Sequence, residues 1–285
     1  MATEVTALLA EGSSRLARVA DHPRHEAEIL LGAALGRSRA WLLAHGDERI
    51  LDCDATDVYE AHVTRRARGE PIAYILGAKE FWSLTLAVTP AVLIPRPETE
   101  LAVELALERL PAAAVRRVLD LGTGSGAIAL ALAHERPQAH VVGTDVADEA
   151  IEVARHNAAS HGLGNVEFRA GSWYDAVAGE RFDLVVSNPP YIATDDPRVE
   201  REVRLFEPPG ALYSGADGLD AVRSIIAGAA AHLAPGGGLV LEHGDHQGED
   251  LRRLLGQHGF ERVTTHRDLA GRDRCTVGQR PASGP

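Results

Sequence analysis

The chain has 285 residues, about twice the ~150 expected of one domain, so two domains are anticipated. Its composition, 45% hydrophobic and 25% charged, is that of a globular protein and excludes a disordered chain. With 29 Lys+Arg against 41 Asp+Glu the net charge is −12, which counts against a protein held to nucleic acid by phosphate neutralisation.

The opening residues, Met1 to Ser14, lack the basic start and apolar block of a signal peptide. No apolar run reaches the ~18 residues of a membrane span, so no membrane partner is expected. Cys53 and Cys275 lie far apart, which points to a reducing, cytoplasmic compartment with no disulfide framework and no zinc set.

Residues 1–75 read as a small helical bundle. Val5, Leu8, Leu9, Leu16 and Val19 fall near helical spacing, as do Ile29, Leu30, Leu31 and Leu35 after Pro23. Asp54 to Arg68 reads as a polar-faced helix closed by Gly69, and the run Arg65-Arg66-Ala67-Arg68 as its solvated end. Residues 76–97 read as a β-hairpin linker. Trp82, Leu84, Leu86 and Val88 alternate with Ser83, Thr85, Ala87 and Thr89, the period of a half-buried strand. Pro90, Pro95 and Pro97 then precede a helix from Glu98 to about Leu110, whose first-turn acids Glu98 and Glu100 are ordinary dipole partners.

Residues 98–285 form the remaining domain. Strands are predicted at 117–121, 140–145, 165–170, 182–187 and 238–243, with two more around Leu269-Ala270-Gly271-Arg272-Asp273, which makes seven. Helices are predicted at 126–135, 147–161, 218–233 and 247–257. This alternation implies an α/β, Rossmann-like parallel sheet with helices on both faces. A short polar tail, 281–285, closes the chain.

Two loops carry chemistry. The strand ending at Leu121 runs into Gly122-Thr123-Gly124-Ser125-Gly126, followed by an Ala/Leu helix. Glycines let a ligand approach bare backbone, and the helix N-terminus offers unpaired N–H groups. Asp145 ends the next strand, where a carboxylate can accept both hydroxyls of a ribose. Together they indicate a nucleoside-containing cofactor. Gly122, Gly124 and Ala127 also fit a relaxed dinucleotide fingerprint. Gly126 and the acid Asp120 tilt the choice towards S-adenosylmethionine, whose ammonium group an adjacent carboxylate would welcome.

The second loop, Asn188-Pro189-Pro190-Tyr191, follows the strand Phe182–Ser187. In an open parallel sheet it faces the same crevice. Its prolines make it rigid. An amide nitrogen is a poor nucleophile because its lone pair is delocalised. Acceptance of its two N–H protons by the Asn188 oxygen and the Pro189 carbonyl would return electron density to nitrogen, while Tyr191 stacks on the planar group.

These residues resemble the release factor glutamine methyltransferases. The matching pieces are Glu70-Pro71-Ile72-Ala73-Tyr74-Ile75-Leu76-Gly77, Glu80-Phe81-Trp82, Leu93 to Glu100, the glycine loop, Asn188 to Tyr191, Phe206-Glu207-Pro208 and Leu241-Glu242-His243-Gly244. The resemblance implies a seven-stranded S-adenosylmethionine-dependent methyltransferase domain with a small helical N-terminal domain that helps to choose the substrate. It implies methylation of the Gly-Gly-Gln glutamine of class 1 peptide chain release factors. Gly122, Thr123, Gly124, Ser125, Gly126, Asp145, Trp173 and Asn188 would then hold the cofactor. Asn188, Pro189, Pro190 and Tyr191 would grip the glutamine, with Asn188, Pro189 and Tyr191 catalytic. The family often has an acid before the tryptophan; here that position is Ser172.

Two alternatives stand beside this reading. An adenine-N6 methyltransferase shares the Asn-Pro-Pro-Tyr element but has to present an extruded base on a basic surface. Residues 1–80 hold 10 basic and 13 acidic residues, so no nucleic-acid contact is expected. A cofactor-binding protein without catalysis would need no amide-positioning loop. The cluster His243-Gly244-Asp245-His246 lacks metal-ligand spacing, so no metal is expected.

Overall fold

The computed structural model describes residues 3–112 and 114–282, so the last three residues of the predicted polar tail lie outside the described residues. The chain divides into two units. One runs to Ala78 and includes Arg201–Phe206; the other comprises Lys79–Glu200 and the chain from Glu207.

In the first unit, a two-residue strand β1 (Thr3–Glu4) leads into α1 (Val5–Leu16), which buries Val5, Leu8, Leu9 and Leu16 along one helical stripe. Gly12 lies on the same stripe because a Cβ there would sit 2.0 Å from the Tyr59 hydroxyl, which donates to the Leu8 carbonyl. Helix α2 (Pro23–Leu35) starts at a proline and ends at Gly36, whose φ of 61° suits glycine. Helix α3 (Arg39–Ala44) is capped by Ser38. Strand β2 (Arg49–Ile50) pairs antiparallel with β1, a ribbon too short for periodicity to reveal. Helix α4 (Cys53–Ala67) is capped by Asp52, and α5 (Ile72–Leu76) completes a core of Leu30, Leu31, Leu42, Tyr59 and Val63.

The basic run at the end of α4 is not the solvated helix end that its composition suggests. Arg66 is 5% exposed and donates to Glu26, Glu202 and the Val19 carbonyl, while Arg65 pairs with Glu70. Acidic partners distant in sequence make that burial tolerable.

Apart from Ala78, a hairpin of β3 (Ala78–Phe81) and β4 (Leu84–Ala87) opens the second unit. Trp82 and Ser83, read above as strand residues, form its turn, both left-handed with φ of 51° and 61°. A type I′ two-residue turn needs positive φ at both positions, and neither residue type advertises it. Glu100 accepts the Trp82 backbone N–H at 3.1 Å, and Glu135 accepts the indole N–H at 2.9 Å, so tertiary partners hold the turn. A 3-10 turn, Pro97–Thr99, precedes α6 (Glu100–Leu107), which stops short of Leu110.

The sheet and its helices then follow in alternation: β5 (Arg117–Leu121), α7 (Ala127–Glu135), β6 (His140–Asp145), α8 (Asp148–Ser160), β7 (Val166–Ala170) and β8 (Phe182–Ser187). Next come α9 (Arg201–Phe206), which groups with the first unit, α10 (Asp220–His232), β9 (Leu233–Glu242), α11 (Gly248–Gln257), β10 (Glu261–Arg267) and β11 (Asp273–Gln279). The strand order is β10-β11-β9-β8-β5-β6-β7, with β11 antiparallel to both neighbours and the rest parallel. This is the seven-stranded α/β architecture expected, flanked by helices.

Period-two alternation divides the buried strands between two cores. Val118, Val141, Leu184 and Val240 pack with α6, α7 and α8; Leu119, Val142, Val185 and Leu239 pack with α10 and α11. From β5 the chain moves outward to β6 and β7, then crosses back to β8 on the other side of β5. The carboxyl ends of β5 and β8 therefore flank the topological switch point, where ligands bind in open sheets.

One buried amide ties the hairpin to this point. Asn157 on α8 is 1% exposed; it accepts the Ala87 N–H at 2.7 Å and donates to the carbonyls of Ala87 and Ser125 at 3.0 and 2.9 Å. Asn157→Ala strands those groups and is expected to destabilise the protein by about 3 kcal/mol. Denaturant unfolding checks this; a loss under about 1 kcal/mol would show that water replaces the amide.

Candidate active site

Burial of β5, with Val118, Leu119 and Leu121 fully covered, fixes the glycine loop at the carboxyl end of the sheet. Gly122, Gly124 and Gly126 have φ of 69°, 54° and 84°, so the turn from β5 into α7 requires glycine. Thr123 N–H donates to the Thr144 carbonyl at 2.9 Å, and Gly124 N–H to Asp145 Oδ2 at 2.9 Å. Asp145 Oδ1 accepts the Ala147 N–H at 3.0 Å. A carboxylate offers about four lone-pair sites, so Asp145 keeps capacity for hydroxyls of a ligand.

Beneath the loop lies Asp120, 1% exposed. Its Oδ2 accepts from the Thr123 hydroxyl at 2.6 Å and the Ala129 N–H at 3.2 Å, whereas Oδ1 has no partner. Burial pushes its carboxyl up to about 7; the hydrogen bonds from Thr123 and Ala129 oppose the rise and the charge of Asp145 adds to it. A buried oxygen without a partner beside a cavity is the complement of a cationic ligand group.

Trp173 also lies in the left-handed region, with φ of 46°. Thr144 donates its hydroxyl to the Trp173 carbonyl, and the indole lies beside Gly122. Ser187 ties β8 to β5 by donating to the Leu121 carbonyl at 2.6 Å. Asn188 follows, and its Nδ2 donates to Thr99 Oγ1 at 3.1 Å; among the described residues no donor reaches its Oδ1. Downstream, the Tyr191 carbonyl accepts from buried Gln247 at 3.0 Å, and Ile192 pairs with the Leu212–Ser214 segment. Burial, and next the charge of Glu242, raise the Tyr191 phenol above its ordinary range.

A cavity of about 260 Å³ joins these loops. Among the predicted residues, Gly122, Thr123, Gly124, Ser125, Asp145, Trp173, Asn188 and Pro190 line it, together with Asp120 and Ser172. Gly126, Pro189 and Tyr191 do not. Gly126 instead allows close packing: a Cβ there would lie 3.0–3.3 Å from Leu130, Phe168 and Ala154. The sequence reading missed Thr99, Glu207 and Gln247. Glu207 is 4% exposed, accepts the Ile94 N–H at 3.2 Å and pairs with Arg96, so it seats the Pro95-Arg96 cavity wall. Thr99 and Glu207 are polar residues inside quoted motifs, which was their available signal; Gln247, at the start of a predicted helix, had none. His243, in the cluster set aside as a metal site, is buried and engages Thr276 and the Gly244 carbonyl.

Residues 96–266 match the model of the Methyltransferase small domain, and residues 7–77 that of the PrmC N-terminal domain. The chain is 55% identical over 275 residues to the release factor glutamine methyltransferase of Xylella fastidiosa strain Temecula1, covering 96% of this chain and 98% of that protein. It is 50% identical over 256 residues to the Pseudomonas aeruginosa protein of the same name, covering 90% and 92%. Among solved structures, the T. thermophilus 16S rRNA N2 G1207 methyltransferase, in complex with AdoMet and guanosine, aligns with a TM-score of 0.54 at 23% identity, over 71% of this chain and 49% of that one. That likeness shows a shared fold.

Proposed function

The chain belongs to the release factor glutamine methyltransferases, and on that premise we propose that it methylates N5 of the glutamine in the Gly-Gly-Gln motif of class 1 peptide chain release factors, and so modulates translation termination. It is an S-adenosylmethionine-dependent protein-glutamine methyltransferase. The observation that carries the finer reading is Asn188, whose amide nitrogen is engaged by Thr99 while its oxygen is left for the substrate, in the same cavity as the glycine loop.

When bound, S-adenosylmethionine supplies an electrophilic methyl group on a sulfonium. The residues present fit it: bare backbone at Gly122 and Gly124, the Asp145 carboxylate for ribose hydroxyls, the indole of Trp173 for a planar base, and Asp120 Oδ1 for an ammonium. Ser172, also on the wall, supplies a hydroxyl where the family often has an acid.

In this reading Asn188 Oδ1 and the Pro189 carbonyl hold the two N–H protons of the glutamine amide and Tyr191 orients its plane, although of the three only Asn188 lines the cavity. Neither acceptor is basic enough to keep a proton, so the proton departs to water after transfer. Alignment alone can lower the barrier by roughly 7–11 kcal/mol, so no strong base is required. The helical unit, matched to the PrmC N-terminal domain, serves release factor recognition. We place the enzyme in the cytoplasm; among the described residues no helix is long and apolar enough to cross a membrane.

The test supplies labelled S-adenosylmethionine and, separately, a release factor, its Gln→Ala variant and adenine-containing DNA. Label on the release factor alone is expected. Label on DNA, or on the variant, would overturn the glutamine assignment.

A further inference from the structure

Glu242 ends β9 and is 1% exposed. The parallel register pairs Leu241 with Ser187, which places Glu242 beside Asn188; across the antiparallel edge it pairs with buried Cys275. The side chains of Thr99 and Tyr191 lie against this carboxylate and favour its ionised form, whereas its Oε2 has no hydrogen-bond partner among the described residues. Arg274, whose charge acts on this carboxylate, is already engaged by Asp268 at 3.2 Å. A carboxylate buried with one bare oxygen is expensive to fold, and nothing in the mechanism above uses it.

We propose that Glu242 and Thr99 are positioning residues that set which face of the Asn188 amide is presented to the substrate. An ionised carboxylate only accepts hydrogen bonds. Thr99 therefore spends its single hydroxyl hydrogen on Glu242 and has only lone pairs left for Asn188. Asn188 must then turn Nδ2 towards Thr99, as observed at 3.1 Å, and Oδ1 towards the cavity. The same carboxylate is placed to accept from the Tyr191 hydroxyl as well, so that one buried group would orient both polar side chains of the Asn-Pro-Pro-Tyr loop.

Protonated Glu242 could donate to Thr99 instead, which would free the Thr99 hydroxyl to donate to Asn188 Oδ1 and reverse the amide. Burial pushes the Glu242 carboxyl up to about 7, opposed by Thr99, Arg274 and Tyr191 and reinforced by Glu98. The groups that face it are Glu98 from the 3-10 turn, Tyr191 from the loop after β8, and Arg274 and Cys275 from β11. The ionised form is thus the productive one.

The inference rests on the reading of Asn188 as the acceptor for the substrate amide. Its test compares Thr99→Val, Thr99→Ser, Glu242→Gln and Asn188→Ala at saturating cofactor. Thr99→Val and Glu242→Gln are expected to lower kcat at least 10-fold, with the Kd for S-adenosylmethionine within about twofold of wild type, and Thr99→Ser to recover most of the loss. Wild-type kcat is expected to rise with pH through about 7, and that rise to vanish in Glu242→Gln. A parallel loss of cofactor affinity would show loosening of the whole cavity and overturn the positioning role. So would wild-type kcat in Thr99→Val and Glu242→Gln while Asn188→Ala is inactive. An active Asn188→Ala is the separate result that removes the Asn188 reading itself.

Discussion

Asn188→Ala is expected to lower kcat for glutamine methylation about a hundred- to a thousand-fold, the usual effect of deleting one preorganised hydrogen-bonding group at a reacting centre. The mutation removes the oxygen left free in the cavity and the Nδ2 donor to Thr99. The Pro189 carbonyl would remain, but a single acceptor constrains one N–H and leaves the amide free to rotate away from the line of attack. Cofactor affinity should weaken yet stay measurable, because Gly122, Gly124, Asp145 and Trp173 are untouched. The fold should lose only about 1 kcal/mol, the ordinary net worth of one hydrogen bond. Single-turnover rates with labelled methyl donor, beside calorimetric cofactor binding, separate these effects. Turnover within a few-fold of wild type would remove Asn188 from its assigned role.

Asp120→Asn is expected to weaken S-adenosylmethionine binding about 10- to 100-fold, since a hydrogen bond to a charged group contributes about 1.5–3 kcal/mol. Its pH signature is more specific. The wild-type carboxyl titrates near 7 because burial raises it. The ionised form is the one that attracts a cation, so affinity should rise as pH rises from 6 to 7.5, and the variant should show no such rise. Stability moves the opposite way. The folded state keeps a proton on Asp120 up to about pH 7, whereas the unfolded chain releases it near 3.9. Between those values the folded state binds more protons, so stability falls as pH rises. A shift of about three units corresponds to about 4 kcal/mol at most. Glu242, also raised by burial, contributes in the same sense. Melting temperatures followed from pH 4 to 8 should therefore fall less steeply in Asp120→Asn than in wild type. Identical slopes would mean that Asp120 is not the titrating group.

Much of the catalytic unit was legible because its signals are local. Strand Phe182–Ser187 and helices α7, α8, α10 and α11 lie within two residues of their predicted ends, since hydrophobic period and flanking glycines sit in contiguous residues. Strand β9 begins five residues earlier than predicted, at Leu233, because its first half runs through Pro235, Gly236 and Gly237, which carry no apolar pattern. The hairpin turn at Trp82-Ser83 was hidden for a different reason: Glu100 and Glu135 hold it, and neither is a neighbour in sequence.

By itself the sequence determined the order of strands and helices, the glycine-bound turn after β5, and the rigid amide-bearing loop after β8. Each of these is encoded within about ten residues. Only the tertiary structure decided what braces them. Asn157 reaches Ala87 across 70 positions, and Asn188 reaches Thr99 across 89. It also decided that Gly126 serves packing rather than the cavity wall, and that Arg66 is buried. Such facts depend on which distant backbone returns to meet a side chain, and periodicity carries no record of it. The chemistry of the loop was written in its residues; the orientation of its amide was not.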